Sequence, residues 1–168
     1  MALQIDGIVP IVITPFDGDL RLDEASLQRH VEFCVACGAR GLVGPANASE
    51  FSTLSDDERR RWLQIVVAAS AGVPVVASVT SGHLQPAVDL ARFAIDTGVS
   101  AIMSMPPPLL KPSVEGCVAF FSDLAEAIRP VPLIVQNYAP PLGTPLSSAA
   151  LASLCQQVDN IAFIKEEL

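Results

Sequence analysis

Apolar residues along this chain follow two rhythms in turn. Short unbroken apolar runs alternate with longer stretches in which apolar residues recur three and four positions apart. The first kind predicts strands buried on both faces, the second amphipathic helices. Residues 7–13 predict a first strand, ended by Thr14-Pro15-Phe16 and an Asp-Gly turn. Residues 23–37 predict a helix with Leu27, Val31, Cys34 and Val35 on one side and Gly38 at its end. Residues 41–44 predict the second strand. Ser55-Asp56-Asp57-Glu58 is a capping box, and Trp62, Ile65, Val66 and Ala69 form the apolar face of the helix it opens. Strands follow at 73–80 and 100–105, with a helix over 86–96 between them that Gly98 closes. Pro106-Pro107-Pro108 stops the fourth strand, and Ser113 caps a helix reaching about Ile128. Residues 132–137 predict the fifth strand, Ser147 or Ser148 opens a helix to about Gln157, and residues 161–165 predict the sixth strand.

The strand–helix unit therefore recurs about every 30 residues, which predicts an α/β fold with a parallel sheet and right-handed crossovers. Two architectures fit: an open doubly wound sheet and a (β/α)8 barrel. The first strand–helix turn has no G-x-G-x-x-G, and no G-x-x-x-x-G-K-[ST] occurs, so nucleotide-binding fingerprints are absent. A barrel needs eight strands and typically ~250 residues. On the barrel reading the 168 residues form one partial domain of about six βα units, stopping before strands seven and eight. A doubly wound sheet can end at six strands.

Composition narrows the function. Half of the chain is apolar (51%), only 17% is charged, and the formal net charge is −8. A nucleic-acid partner calls for a basic face, which this balance opposes. Arg59-Arg60-Arg61 is the one basic run; it follows three acidic residues and reads as a solvated helix start. No apolar run approaches the ~18 residues of a membrane span, and the first residues lack a basic leader, so a cytoplasmic protein is expected. Cys34 and Cys37 form a lone C-x-x-C late in a helical pattern, which reads as packing rather than as a redox or metal pair.

One residue carries candidate chemistry. Lys165 closes the apolar run Ile161-Ala162-Phe163-Ile164, which reads as a buried strand. An ammonium is costly to bury there, and an amine that is neutral part of the time attacks carbonyl carbon. The other lysine, Lys111, lies in a proline-rich loop. His83 follows the third strand and reads as a solvated loop residue, and His30 lies inside the first helix; neither has a partner at metal-ligand spacing.

Four segments in order resemble the dihydrodipicolinate synthase/N-acetylneuraminate lyase family. Gly7-Ile8-Val9-Pro10-Ile11-Val12-Ile13-Thr14-Pro15-Phe16 is similar to the family's opening strand and T-P-F turn. Residues 41–55, with Asn47-Ala48-Ser49-Glu50, resemble its G-T-T-G-E loop and the helix after it. Residues 135–143 stand where the family has Y-N-x-P and a later glycine. Asn160-Ile161-Ala162-Phe163-Ile164-Lys165-Glu166 is similar to N-I-x-G-[IV]-K-E. The resemblance implies a (β/α)8 barrel and a class I aldolase-type lyase or synthase. It implies an imine between Lys165 and pyruvate or another 2-keto acid, no metal or organic cofactor, and a homo-oligomer, tetramer or dimer. It implies that the loop of Asn47, Ala48 and Ser49 holds the substrate carboxylate, that Glu50 ties that loop, and that Gln136 lines the pocket.

The departures bear on mechanism. The resemblance implies a proton relay of one tyrosine at position 136, a threonine at 48 and a neighbouring subunit's tyrosine from a P-Y-Y segment. Here these positions hold Gln136, Ala48 and Pro106-Pro107-Pro108. A glutamine amide hydrogen-bonds but does not shuttle a proton at neutral pH. Tyr138, the only tyrosine, lies two residues on, which strand periodicity places on the face of Gln136. A catalytically inert, truncated family member and a doubly wound ligand-binding module are the alternatives.

Overall fold

The computed structural model describes residues 5–108 and 112–168. They fall into two compact units, Met1–Ser78 with Phe93–Ser100, and Val79–Arg92 with Ala101–Leu168.

In the first unit α1 (Glu24–Ala36) begins where the Asp23 carboxylate accepts a hydrogen bond from the Ser26 N–H at 3.0 Å. After it come β1 (Leu42–Gly44), α2 (Asp56–Ala69) and β2 (Val75–Ser78). β1 and β2 pair in parallel, Leu42 opposite Val75 and Gly44 opposite Ala77, and every residue of both is buried. That burial is what a sheet covered on both faces demands of its strands. The capping box of α2 forms as its sequence predicts, with Ser55 and Glu58 exchanging hydrogen bonds. Glu24 receives two hydrogen bonds from Arg61, at 2.8 and 2.5 Å, which tie α2 to α1.

Two expectations change here. The segment at 7–13 is extended and paired, but it is not a continuous strand. Val12 N–H donates to Val43 O and Val43 N–H to Pro10 O, at 2.9 and 3.0 Å, leaving one parallel bridge at Ile11. Pro10 has no N–H to continue the ladder. Among the described residues five named strands result rather than six. Arg59 is not solvated: it is 6% exposed, donates to Ser78 O at 3.3 Å and lies over the Phe51 ring at 5.5 Å. Burial lowers its pKa to about 10, against the opposing pull of Asp56.

The second unit holds β3 (Ala101–Ser104), α4 (Val114–Ala127), β4 (Leu133–Tyr138), α5 (Ser148–Gln157) and β5 (Ile161–Glu167). The remaining helix, α3 (Leu84–Thr97), is shared between the units. Ser113 and Ser147 cap α4 and α5 by accepting from Gly116 and Ala150 N–H. β3 pairs with β4 and β4 with β5, both in parallel. Neighbours in space are thus neighbours in sequence, without the reversal of order that defines a doubly wound sheet. The Asn160 amide donates to Ala125 O and Val131 O, both at 2.9 Å, and so fixes the entry to β5. Phe121, Leu124, Leu133 and Leu154 form the core of this unit. β5 is less buried than its composition suggests. Ile161 is buried and Phe163 half-buried, while Ala162 and Ile164 are exposed. Among the described residues it pairs with β4 only.

Several carboxylates are held below their ordinary values: Asp23 by hydrogen bonds from Ser26, Glu24 by Arg61, Glu58 by Ser55 and Asp159 by Arg129. A depressed carboxylate stabilises the fold above its unfolded value, 3.8 for Asp and 4.5 for Glu, and that contribution is lost as pH falls through the lower folded value. Thermal melts are expected to be nearly independent of pH from neutrality to about pH 5, then to fall steadily below it. A melting temperature that holds or rises under acid would contradict these contacts.

Candidate active site

The pairing of β4 with β5 aligns Gln136 with Lys165, Asn137 with Glu166 and Tyr138 with Glu167. Side chains alternate along a strand, so the pairs divide between two faces. One face is polar. The Lys165 ammonium forms an ion pair with Glu167, whose Oε2 also accepts a hydrogen bond from Gln136 Nε2 at 2.6 Å. Gln136 is 1% exposed, the Lys165 side chain 26% and that of Glu167 30%, so a buried amide anchors a cluster open to solute on its outer side. Tyr138 is half-buried, next along the same face of β4.

The other face holds the frame. The Asn137 amide exchanges hydrogen bonds with the Leu146 backbone, at 3.1 and 2.8 Å, and donates to the Glu166 carboxylate at 3.0 Å. It thereby closes the loop after β4 and locks β5 in register. Gly143 completes the turn. A Cβ there would stand 1.9 Å from the Tyr138 carbonyl oxygen, a distance no side chain tolerates.

In the first unit, the loop after β1 folds into two short 3₁₀ turns, Asn47–Ser49 and Phe51–Thr53. Asn47 is half-buried and Ala48 exposed. Ser49 is fully buried. Its hydroxyl donates to Val12 O and its carbonyl accepts from Thr14 Oγ1, both at 2.6 Å. The hydroxyl is therefore spent on the framework, and the Ser49 N–H is spent on Ala46 O at 3.0 Å. Glu50 joins the two turns in a left-handed conformation, its N–H donating to Asn47 O and its carbonyl accepting from Thr53. It ties the loop, and it does so through its backbone.

His83 is exposed, and its Nδ1 accepts from Gln85 N–H at the start of α3. Cys34 and Cys117 are buried thiols whose pKa burial raises, Cys37 is exposed, and all four cysteines are unbridged. Lys111 lies outside the described residues. No metal-ligating cluster and no helix long and apolar enough to cross a membrane occurs among the described residues.

The model of the Dihydrodipicolinate synthetase family matches residues 4–168. This chain belongs to that family. The 4-hydroxy-tetrahydrodipicolinate synthase of Methanopyrus kandleri is 37% identical over 168 residues, covering 99% of this chain and 56% of the relative. The enzyme of the same name from Agrobacterium fabrum is 33% identical, covering 95% and 54%. A dihydrodipicolinate synthase crystal structure superposes with a TM-score of 0.89 at 30% identity, over 96% of this chain and 56% of that one. The chloride-inhibited dihydrodipicolinate synthase of Acinetobacter baumannii, complexed with pyruvate, superposes with a TM-score of 0.89 at 28% identity, over 96% and 55%. The chain spans about half the length of the curated relatives it matches. Its five parallel strands and their helices are part of the family's (β/α)8 barrel.

Lys165, Gln136, Asn137 and Glu166 lie together at one end of the β4–β5 ladder. Glu167 was not foreseen. The spacing of two from Lys165 is the signal that places Glu167 on the same face as the amine.

Proposed function

We propose that this protein is a lyase or synthase of the class I aldolase type, dependent on pyruvate or a related 2-keto acid and acting through an imine on Lys165. The observation that carries the reading is the position of that amine. It stands half-buried at the end of β5, in a polar cluster with Gln136 and Glu167, in a chain that matches the Dihydrodipicolinate synthetase family over residues 4–168.

The chemistry follows from the residue type. The Lys165 amine adds to the ketone carbon and water leaves. The resulting protonated imine draws electrons from C3, so C3 loses a proton or a carbon substituent and then attacks an electrophile. The lysine supplies the electron sink that other enzymes take from a cofactor. The loop at Asn47, Ala48 and Ser49 holds the substrate carboxylate through its backbone, Ala48 having no hydroxyl and Ser49 committing its hydroxyl to Val12 O and its own N–H to Ala46 O. Gln136 lines the pocket as an amide that orients groups without moving protons. Support for the keto acid comes from the pyruvate complex of the Acinetobacter baumannii relative. We further infer, from family membership, one barrel domain, a homo-oligomer (tetramer or dimer) and a cytoplasmic location.

The test is reductive trapping. Pyruvate and sodium borohydride are added to the intact protein, and peptides are mapped by mass. A reduced pyruvyl adduct on Lys165 is expected. Labelling confined to Lys111, or no labelling, overturns the reading.

A further inference from the structure

We propose that Glu167 is a catalytic residue: the carboxylate that moves protons to and from the Lys165 nitrogen as the imine forms and breaks. The inference rests on the Lys165 reading above.

Three observations carry it. First, Glu167 Oε2 contacts Lys165 Nζ, the atom that must lose protons to become a nucleophile. Second, the same oxygen accepts from Gln136 Nε2 at 2.6 Å, and Gln136 is 1% exposed, so a fixed amide holds the carboxylate against the amine. Third, no other described side chain is bonded to Lys165, and its partner across the ladder, Gln136, cannot accept and release a proton at neutral pH. A partly exposed ion pair adds little to stability. Two residues apart on one strand, however, it sets a base within reach of a nucleophile, the arrangement that activates weak nucleophiles elsewhere.

The proton inventory closes. The Lys165 ammonium gives one proton to Glu167, and the freed nitrogen lone pair forms the N–C bond while the carbonyl π pair moves to oxygen. Glu167 returns that proton to the oxygen, giving a hydroxyl. The nitrogen gives up a second proton, again through Glu167, to the same oxygen. The C–O bond breaks and water departs. The nitrogen keeps its third proton as the protonated imine, and Glu167 ends as the carboxylate it began as. No oxidant, metal or other co-reactant enters.

Gln136 takes a defined part in this. By donating to Oε2 it positions the carboxylate, and it occupies the place where the family resemblance implies a tyrosine. Glu167 and Gln136 together thus fill, from β5 and β4, a proton-transfer role that the amide alone cannot.

The test is the rate at which borohydride traps pyruvate on Lys165 in the intact protein, compared across Glu167→Gln, Glu167→Ala and Glu167→Asp. Glu167→Gln is expected to slow trapping by roughly 10²- to 10⁴-fold, the usual weight of one acid–base group. Glu167→Asp should keep a substantial share of the rate. Added formate should restore trapping in Glu167→Ala, since a free carboxylate fits the space and a packing role would not respond to it. Unchanged far-ultraviolet circular dichroism shows that each variant is folded, and Glu167→Asp serves if Glu167→Ala is not. If the native protein traps pyruvate on Lys165 and Glu167→Gln does so as fast, this assignment is overturned while the Lys165 reading stands. Slow trapping in Glu167→Ala that formate fails to restore also overturns it. Absence of any adduct on Lys165 in the native protein overturns both.

Discussion

Lys165→Met is expected to abolish imine trapping and to lower turnover of a 2-keto acid by roughly 10⁴-fold or more, with the fold intact. Methionine matches the length and much of the shape of the lysine stem but offers no nitrogen to condense with a ketone. The loss is all-or-none in kind, because in the proposed mechanism the imine is both the covalent tether and the electron sink; without it the C3 carbanion has no acceptor for its charge. The cost to stability is small by contrast. Lys165 pairs with one partner, Glu167, near the surface of β5, and such pairs contribute about 0–1 kcal/mol. After substitution the Glu167 carboxylate still accepts from Gln136, so no buried charge is orphaned. Kinetics and a urea titration on the same sample therefore separate chemistry from structure. A variant that keeps its urea midpoint and also keeps measurable trapping or turnover would remove Lys165 from the mechanism.

Local rules made most of the framework legible, and long-range contacts account for what they missed. The α2 cap was readable because Ser55 and Glu58 satisfy each other within one turn. Arg59 was misjudged because three consecutive helical residues span about 200° of the helix surface, so a run of arginines cannot all face water. Arg60 and Arg61 meet Asp57 and Glu24 at the surface, while Arg59 turns inward to Phe51 and Ser78. Ser49 looked like a substrate donor by type. Its actual acceptor, Val12 O, lies 37 positions away and leaves no local trace. The same holds for the candidate site. Motif resemblance found Lys165, but the contact between Gln136 and Glu167 crosses 31 positions and depends on β4–β5 register, which includes an irregularity between Leu133 and Ile134. A one-residue slip would send Glu167 to the opposite face. Alternation along β5 puts Glu167 rather than Glu166 on the face of Lys165, but the register alone decides that Gln136 meets it.

The second large effect is on stability. Trp62→Ala is expected to cost about 3–5 kcal/mol, a large fraction of the 5–15 kcal/mol that holds a typical domain folded. Trp62 is 0% exposed and fills the space under the turn that follows β1. Its ring lies so close to Gly44 that a Cβ on that glycine would stand 2.4 Å from Cη2, and 2.9 Å from Ser49 Oγ. The indole thus supports Gly44 and, through it, the Asn47–Ser49 turn that is proposed to hold the substrate carboxylate. Removing it leaves a cavity that α2 and β1 close only in part, because both are fixed by the cap at Ser55 and the pairing with β2. One term runs the other way. The indole Nε1–H is buried and has no hydrogen-bond partner among the described residues, and an unsatisfied donor costs about 1–3 kcal/mol. Trp62→Phe keeps most of the apolar contact and removes that donor, so it should cost much less than Trp62→Ala. Trp62 is the only tryptophan in the chain, so urea unfolding has to be followed by circular dichroism rather than fluorescence. The expected order of urea midpoints is native, then Trp62→Phe, then Trp62→Ala, with the second gap the larger. If Trp62→Ala unfolded within about 1 kcal/mol of native, the ring would not be the support that its burial against Gly44 implies.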